Sequence, residues 1–166
     1  MRYFLIGFMG CGKSTIGKKL AKKIGYSFID LDRYIESKLY KTILEIFNEK
    51  GEAEFRLIET KYLKEVSLFE DIVISTGGGT PCFFENLDLM KSSGKVIYLH
   101  LEHQALVNRL LNSKRYDRPL LEKLNRDDLD IFVSNKMSER EAFYEQAHIK
   151  ISALSIDIDE LATKIL

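Results

Sequence analysis

Residues 4–15 read "FLIGFMGCGKST", a short apolar run followed by three glycines, a lysine and two hydroxyls. Gly7 to Ser14 spells G-x-x-x-x-G-K-S. Placed between a strand and a helix, such a loop lets backbone N–H groups converge on a phosphate while the helix N-terminus adds its positive dipole. Gly10, Cys11, Gly12, Lys13, Ser14 and Thr15 are therefore the candidate nucleotide-binding residues. Lys13 is expected to bridge the β- and γ-phosphates of a nucleoside triphosphate, and Ser14 to offer a hydroxyl to Mg²⁺. A chance glycine turn is the competing reading. Cys11 lies where a helix N-terminus can activate a thiol, but a small side chain that tolerates a tight turn is the favoured reading, and it receives no catalytic role.

Working outward, short apolar runs alternate with helical patterns, the signature of an α/β fold with a parallel sheet and crossover helices. Strands are expected at 3–8, 26–32, 71–76, 95–101 and 148–152. Helices are expected after the loop to Gly25, at about 33–39, 52–68, 85–92, 102–111 and 127–147, and from about 157. Thr42 and Glu45 have capping-box spacing, and Gly51 ends that turn. Residues 112–125, with Arg115, Arg118 and Pro119, read as a loop. No repeat, linker or low-complexity tract interrupts the chain, so one domain over 1–166 is expected, with its functional parts at the C-terminal ends of the strands.

Composition removes several classes. The 25 basic and 25 acidic side chains balance, leaving no basic field for nucleic acid or membrane. Two cysteines cannot frame a disulfide scaffold, nothing before the first strand has the form of a cleavable signal, and no apolar run approaches the roughly 20 residues of a membrane span. A cytoplasmic protein is expected. The closest approach to a guanine-reading N-K-x-D is "NKMS" at 135–138, and no D-x-x-G occurs, which disfavours a regulatory GTPase. What remains is a small kinase with a second soluble substrate, or a nucleotide-binding module without chemistry of its own.

Several residues fit a kinase. Asp30 and Asp32 end the second expected strand, and a spacing of two on extended chain points both carboxylates to one side, one for the metal shell and one for a hydroxyl proton. A helix N-cap is the alternative for Asp32. Arg56 and Arg140 suit an anionic substrate because guanidinium grips a carboxylate in bidentate fashion. Arg56 has an alternative as a helix partner of Glu52 or Glu59, and Arg140 as a solvated side chain. Gly77, Gly78 and Gly79 give up backbone entropy after a buried strand, which marks close approach to a ligand or a tight turn.

In order, "GFMGCGKST" at 7–15, "DLD" at 30–32, "GEAEFR" at 51–56, "STGGG" at 75–79, "RPLL" at 118–121 and "REAFY" at 140–144 resemble the shikimate kinase family. The resemblance implies a three-layer P-loop kinase fold with a five-stranded parallel sheet ordered 2-3-1-4-5, a substrate-binding part at about 32–60 and a mobile lid at about 112–125. It implies ATP-dependent phosphorylation of the shikimate 3-hydroxyl, with Mg²⁺, by a monomer. Lys13, Asp32 and Arg118 would be catalytic, the last arriving from the lid. Asp32, Arg56, Gly78, Gly79 and Arg140 would hold shikimate; Ser14 and Asp30 would serve the metal. Glu59 would steady Arg56, and Phe47 and Phe55 would line the ring's face or simply pack in the core. The stretch "ISALSIDID" at 151–159 lacks the basic or proline residues with which the family often holds adenine, leaving Arg109 as a candidate for stacking on the base. Another small-metabolite kinase, such as a gluconate kinase, and a module that has lost turnover are the alternatives.

Overall fold

The computed structural model describes residues 1–113, 121 and 124–166. Most of the expected lid, with Arg115, Arg118 and Pro119, lies outside the described residues.

The sheet is built from β1 (Arg2–Ile6), β2 (Ser27–Asp30), β3 (Ile72–Ser75), β4 (Lys95–His100) and β5 (Ile149–Ser152). All pairings are parallel, in the order β2-β3-β1-β4-β5. β1 sits at the centre, Phe4 opposite Ile74 on one side and Val96 on the other. Such a strand must be apolar on both faces, because helices cover both. Its alternate residues divide the core accordingly. Tyr3 and Leu5 face Leu20 of α1 (Lys13–Ile24), Val107 of α5 (His103–Asn112) and Leu161 of α7 (Ile158–Ile165). Phe4 and Ile6 face Ile35 of α2 (Leu31–Leu39), Leu63 of α3 (Ile43–Val66) and Met90 of α4 (Asn86–Ser93). The helix α6 (Arg126–Tyr144) gives Leu129 and Val133 to the first layer and Tyr144 to the second.

The expected signals at helix ends are present. Gly25 closes α1 in the left-handed region at φ 74°, its N–H on Ala21 O. Thr42 and Glu45 form a reciprocal capping box at the start of α3, and Gly51, at φ 80° and ψ 173°, kinks that helix rather than ending it.

The end of the second strand is corrected as well. β2 does not continue through Asp32 but stops at Asp30, whose carboxylate accepts from Arg33 N at 3.3 Å and so caps α2. The N-cap is therefore Asp30, and Asp32 stands in the first helical turn. The two carboxylates do not share a side through strand periodicity. They meet because the chain turns between them.

Candidate active site

The phosphate loop leaves β1 at Gly7, at φ 140°, where a Cβ would stand 2.5 Å from Leu99 O. No other residue fits that contact and that angle together. Gly12, at φ 100°, is the N-cap of α1 and leaves the first N–H groups without a side-chain partner. Lys13 is buried, its ammonium donating to Gly7 O at 2.8 Å and Phe8 O at 3.0 Å. Cys11 is fully buried, as the tight-turn reading requires. Thr15 is exposed.

Beside the loop, Ser14 Oγ donates to the Asp30 carboxylate and lies 3.4 Å from Ser75 Oγ. Hydroxyl and carboxylate oxygens suit Mg²⁺, which keeps waters and substrate phosphate oxygens in its shell rather than demanding a protein cage. Among the described residues, no group of three or more His, Cys, Asp or Glu has the arrangement to hold a metal ion by itself. Arg109 donates to Cys11 O at 3.0 Å and Ala153 O at 3.2 Å, tying the loop to the segment after β5.

A second set of side chains gathers on the glycine run after β3. A Cβ on Gly77 would lie 3.1 Å from Glu59 Oε2 and 3.5 Å from Asp32 Oδ1. On Gly78 it would lie 3.1 Å from Arg140 Nη1, and on Gly79 only 2.6 Å from Arg56 Nη2. Bare backbone thus makes room for two carboxylates and two guanidinium groups in three consecutive residues. Gly78 also touches the phosphate loop, since the same Cβ would be 3.3 Å from Met9 N.

The arginines are held by different means. Arg56 Nη1 donates to buried Glu59 at 2.9 Å, Nη2 to Glu52 at 3.2 Å, and the guanidinium lies over the Phe83 ring at 4.1 Å. Both helix partners foreseen from spacing are therefore real, and they hold a buried arginine rather than a surface one. Glu59 is itself fixed by Thr80 Oγ1 at 2.7 Å. Arg140 lies 5.7 Å from the Phe8 ring. Among the described residues, Arg56 Nε and Arg140 Nη1 are buried without a hydrogen-bond partner. Buried guanidinium nitrogens are rarely left so, and an anionic ligand would satisfy them.

Asp32 is half-buried. Burial, with the carboxylates of Glu59 and Asp30 adding repulsion, pushes its carboxyl up to about 7, against the opposing pull of Lys13. A carboxylate poised near neutrality beside a phosphate loop is suited to accept a proton. Phe47 and Phe55 stack with ring centroids 4.4 Å apart, and Phe55 also lies 5.3 Å from the Arg56 guanidinium.

Thr80, Phe83 and Tyr144 are parts of this cluster that pattern reading missed. Tyr144 OH donates to Gly78 O. The one available signal was its place in "REAFY", one helical turn after Arg140.

A phosphate loop opening α1, a sheet ordered 2-3-1-4-5 and a neighbouring anion pocket with a near-neutral carboxylate define a P-loop kinase acting on a small acceptor. Comparison with known proteins makes this particular: the family model for shikimate kinase matches residues 9–166, and the chain belongs to the shikimate kinase family. A curated shikimate kinase of Parabacteroides distasonis is 47% identical over 152 residues, covering 92% of this chain and 87% of that one. The crystal structure of shikimate kinase from Bacteroides thetaiotaomicron superposes with a TM-score of 0.92 at 42% identity, covering 99% of this chain and 95% of that one. Shikimate kinase from Acinetobacter baumannii in complex with shikimate gives 0.86 at 33% identity, over 99% of this chain and 89% of that one.

Proposed function

We propose that this site transfers the γ-phosphoryl group of ATP to the 3-hydroxyl of shikimate, giving shikimate 3-phosphate and ADP on the route to chorismate and the aromatic amino acids. The observation that carries this reading is the pair Arg56 and Arg140, each with an unpartnered buried nitrogen, set against adjacent glycines beside Asp32. Two guanidinium groups grip the ring carboxylate, and the N–H groups of Gly78 and Gly79 complete the pocket. The carboxylate is thereby anchored at one end of the ring, which brings a hydroxyl to Asp32 at the other.

Phosphoryl transfer asks the protein mainly to position the reactants and to stabilise charge. The 3-hydroxyl oxygen attacks the γ-phosphorus, the bond from that phosphorus to the β,γ-bridging oxygen breaks, and ADP leaves. Asp32 accepts the hydroxyl proton. Lys13 exchanges its two loop carbonyls for phosphate oxygens, so its ammonium is satisfied before and after nucleotide binds. Ser14 and Asp30 would hold Mg²⁺, which would supply charge neutralisation to the phosphates when bound. Arg118, outside the described residues, would neutralise charge on the transferring group. Arg109, which donates to Cys11 O and Ala153 O, would stack on adenine.

The whole chain acts as one domain, with the acceptor part at about 32–60, and as a cytoplasmic monomer without nucleic-acid or membrane partners. The formal net charge of zero leaves no basic field for nucleic acid; among the described residues no helix is long and apolar enough to cross a membrane.

Steady-state kinetics of Arg140→Ala test the pocket. Losing a charged contact is expected to raise the KM for shikimate at least about tenfold, with the KM for MgATP little changed. An unchanged shikimate KM would remove Arg140 from the site.

A further inference from the structure

The aromatic residue that ends α6 has no part in the chemistry above, yet it touches the centre of the site. Tyr144 is wholly buried, and its hydroxyl donates to the Gly78 carbonyl, 66 residues away in the chain. Its ring lies on Tyr98 of β4 with centroids 5.1 Å apart. Arg140 precedes it by one helical turn, so the two side chains share a face of α6. Burial raises the phenol's pKa, and the Arg140 guanidinium is near enough to oppose that rise.

We infer that Tyr144 is a positioning residue for the acceptor pocket, its hydroxyl fixing the Gly78–Gly79 peptide and thereby the direction of the Gly79 N–H. The inference rests on the proposed shikimate pocket, in which that N–H is a donor. A trans peptide unit is planar, so its C=O and N–H point to opposite sides. Holding the oxygen of residue 78 therefore aims the N–H of residue 79 away from α6. The restraint matters here because three successive glycines have almost no steric preference of their own, and the peptide between two of them turns over at little cost.

A buried phenol needs some acceptor, and the acceptor used belongs to a residue that touches both halves of the site. A Cβ on Gly78 would lie 3.1 Å from Arg140 Nη1, 3.3 Å from Met9 N and 3.6 Å from Gly7 O. The hydroxyl thus ties the guanidinium on its own helix to the glycine turn at the point where acceptor pocket and phosphate loop meet.

The test is Tyr144→Phe, which keeps the ring on Tyr98 and removes only the hydroxyl. Loss of one neutral hydrogen bond that orders the pocket predicts a shikimate KM raised about five- to tenfold, kcat within about twofold and the KM for MgATP unchanged. Calorimetric titration of shikimate without nucleotide is expected to show the same ratio in Kd. KM does not depend on how much enzyme is folded, so a less stable variant is read at a lower temperature without loss of the comparison. A shikimate KM equal to that of the wild type, or an equal rise in both KM values, overturns the inference. A wild-type protein that does not phosphorylate shikimate overturns the reading of the pocket, and this inference with it; an active wild type matched by Tyr144→Phe overturns the inference alone.

Discussion

Replacing Asp32 by asparagine should make the ligand-free protein more stable, and increasingly so as pH rises. The folded-state carboxyl titrates near 7 against an ordinary value of 3.8, chiefly because burial disfavours its charge and Glu59 and Asp30 repel it. The folded state therefore holds this proton more tightly than the unfolded state. The stability this contributes is fully present below 3.8 and is lost as pH rises through about 7. Between pH 5 and pH 7 the unfolded carboxyl is already ionised, so about two units of titration separate the states, or about 3 kcal/mol. The asparagine side chain has no such titration, and for a domain of this size the advantage of the variant should widen by roughly 6–12 °C in Tm between pH 5 and pH 8. Thermal melts of both proteins in nucleotide-free buffer at fixed ionic strength measure it. An advantage that is the same at both pH values, or larger at pH 5, would refute the account of Asp32 as a strained carboxylate. The same variant should lose turnover by at least about 100-fold, a case of stability set aside for function.

Among the described residues, Glu59→Gln leaves the buried Arg56 guanidinium with the exposed Glu52 as its remaining ion-pair partner. Breaking such a pair should cost about 3 kcal/mol, seen as a clear fall in Tm together with a raised shikimate KM; a Tm unchanged from wild type would contradict it. Gly79→Ala meets no backbone strain at φ −89°, but its methyl would stand 2.6 Å from Arg56 Nη2. Arg56 must move, and the shikimate KM should rise at least about tenfold with MgATP unaffected. An unaltered shikimate KM would mean that the arginine has room to yield.

The legible features were those written in local spacing. The phosphate loop could be weighed without any fold, because G-x-x-x-x-G-K-S is closed within Gly7–Ser14. Alternating apolar and amphipathic runs carried the five strands and, through the family resemblance, their order. The tie between Arg56 and Glu59 follows from a spacing of three on a helix. The end of β2 was misplaced because Asp30 and Asp32 are equally good caps by composition, and only the packing of Leu31 and Ile35 into the core decides which one the helix uses. Contacts between distant segments left no trace in local pattern. Arg109 reaches Cys11 O across 98 positions, Thr80 reaches Glu59 across 21 and Tyr144 reaches Gly78 across 66. Each depends on how the sheet brings loop ends together.

The central claim is that the glycine turn, its two arginines and Asp32 select shikimate as the phosphoryl acceptor. Phosphorus NMR of the products formed from MgATP and the purified protein, with shikimate, gluconate and nucleoside monophosphates supplied separately, tests it most directly. The account predicts ADP and one new phosphomonoester, on the 3-hydroxyl, with shikimate alone. Phosphorylation of gluconate or a nucleoside monophosphate in its place, or release of inorganic phosphate without transfer to shikimate, would contradict it.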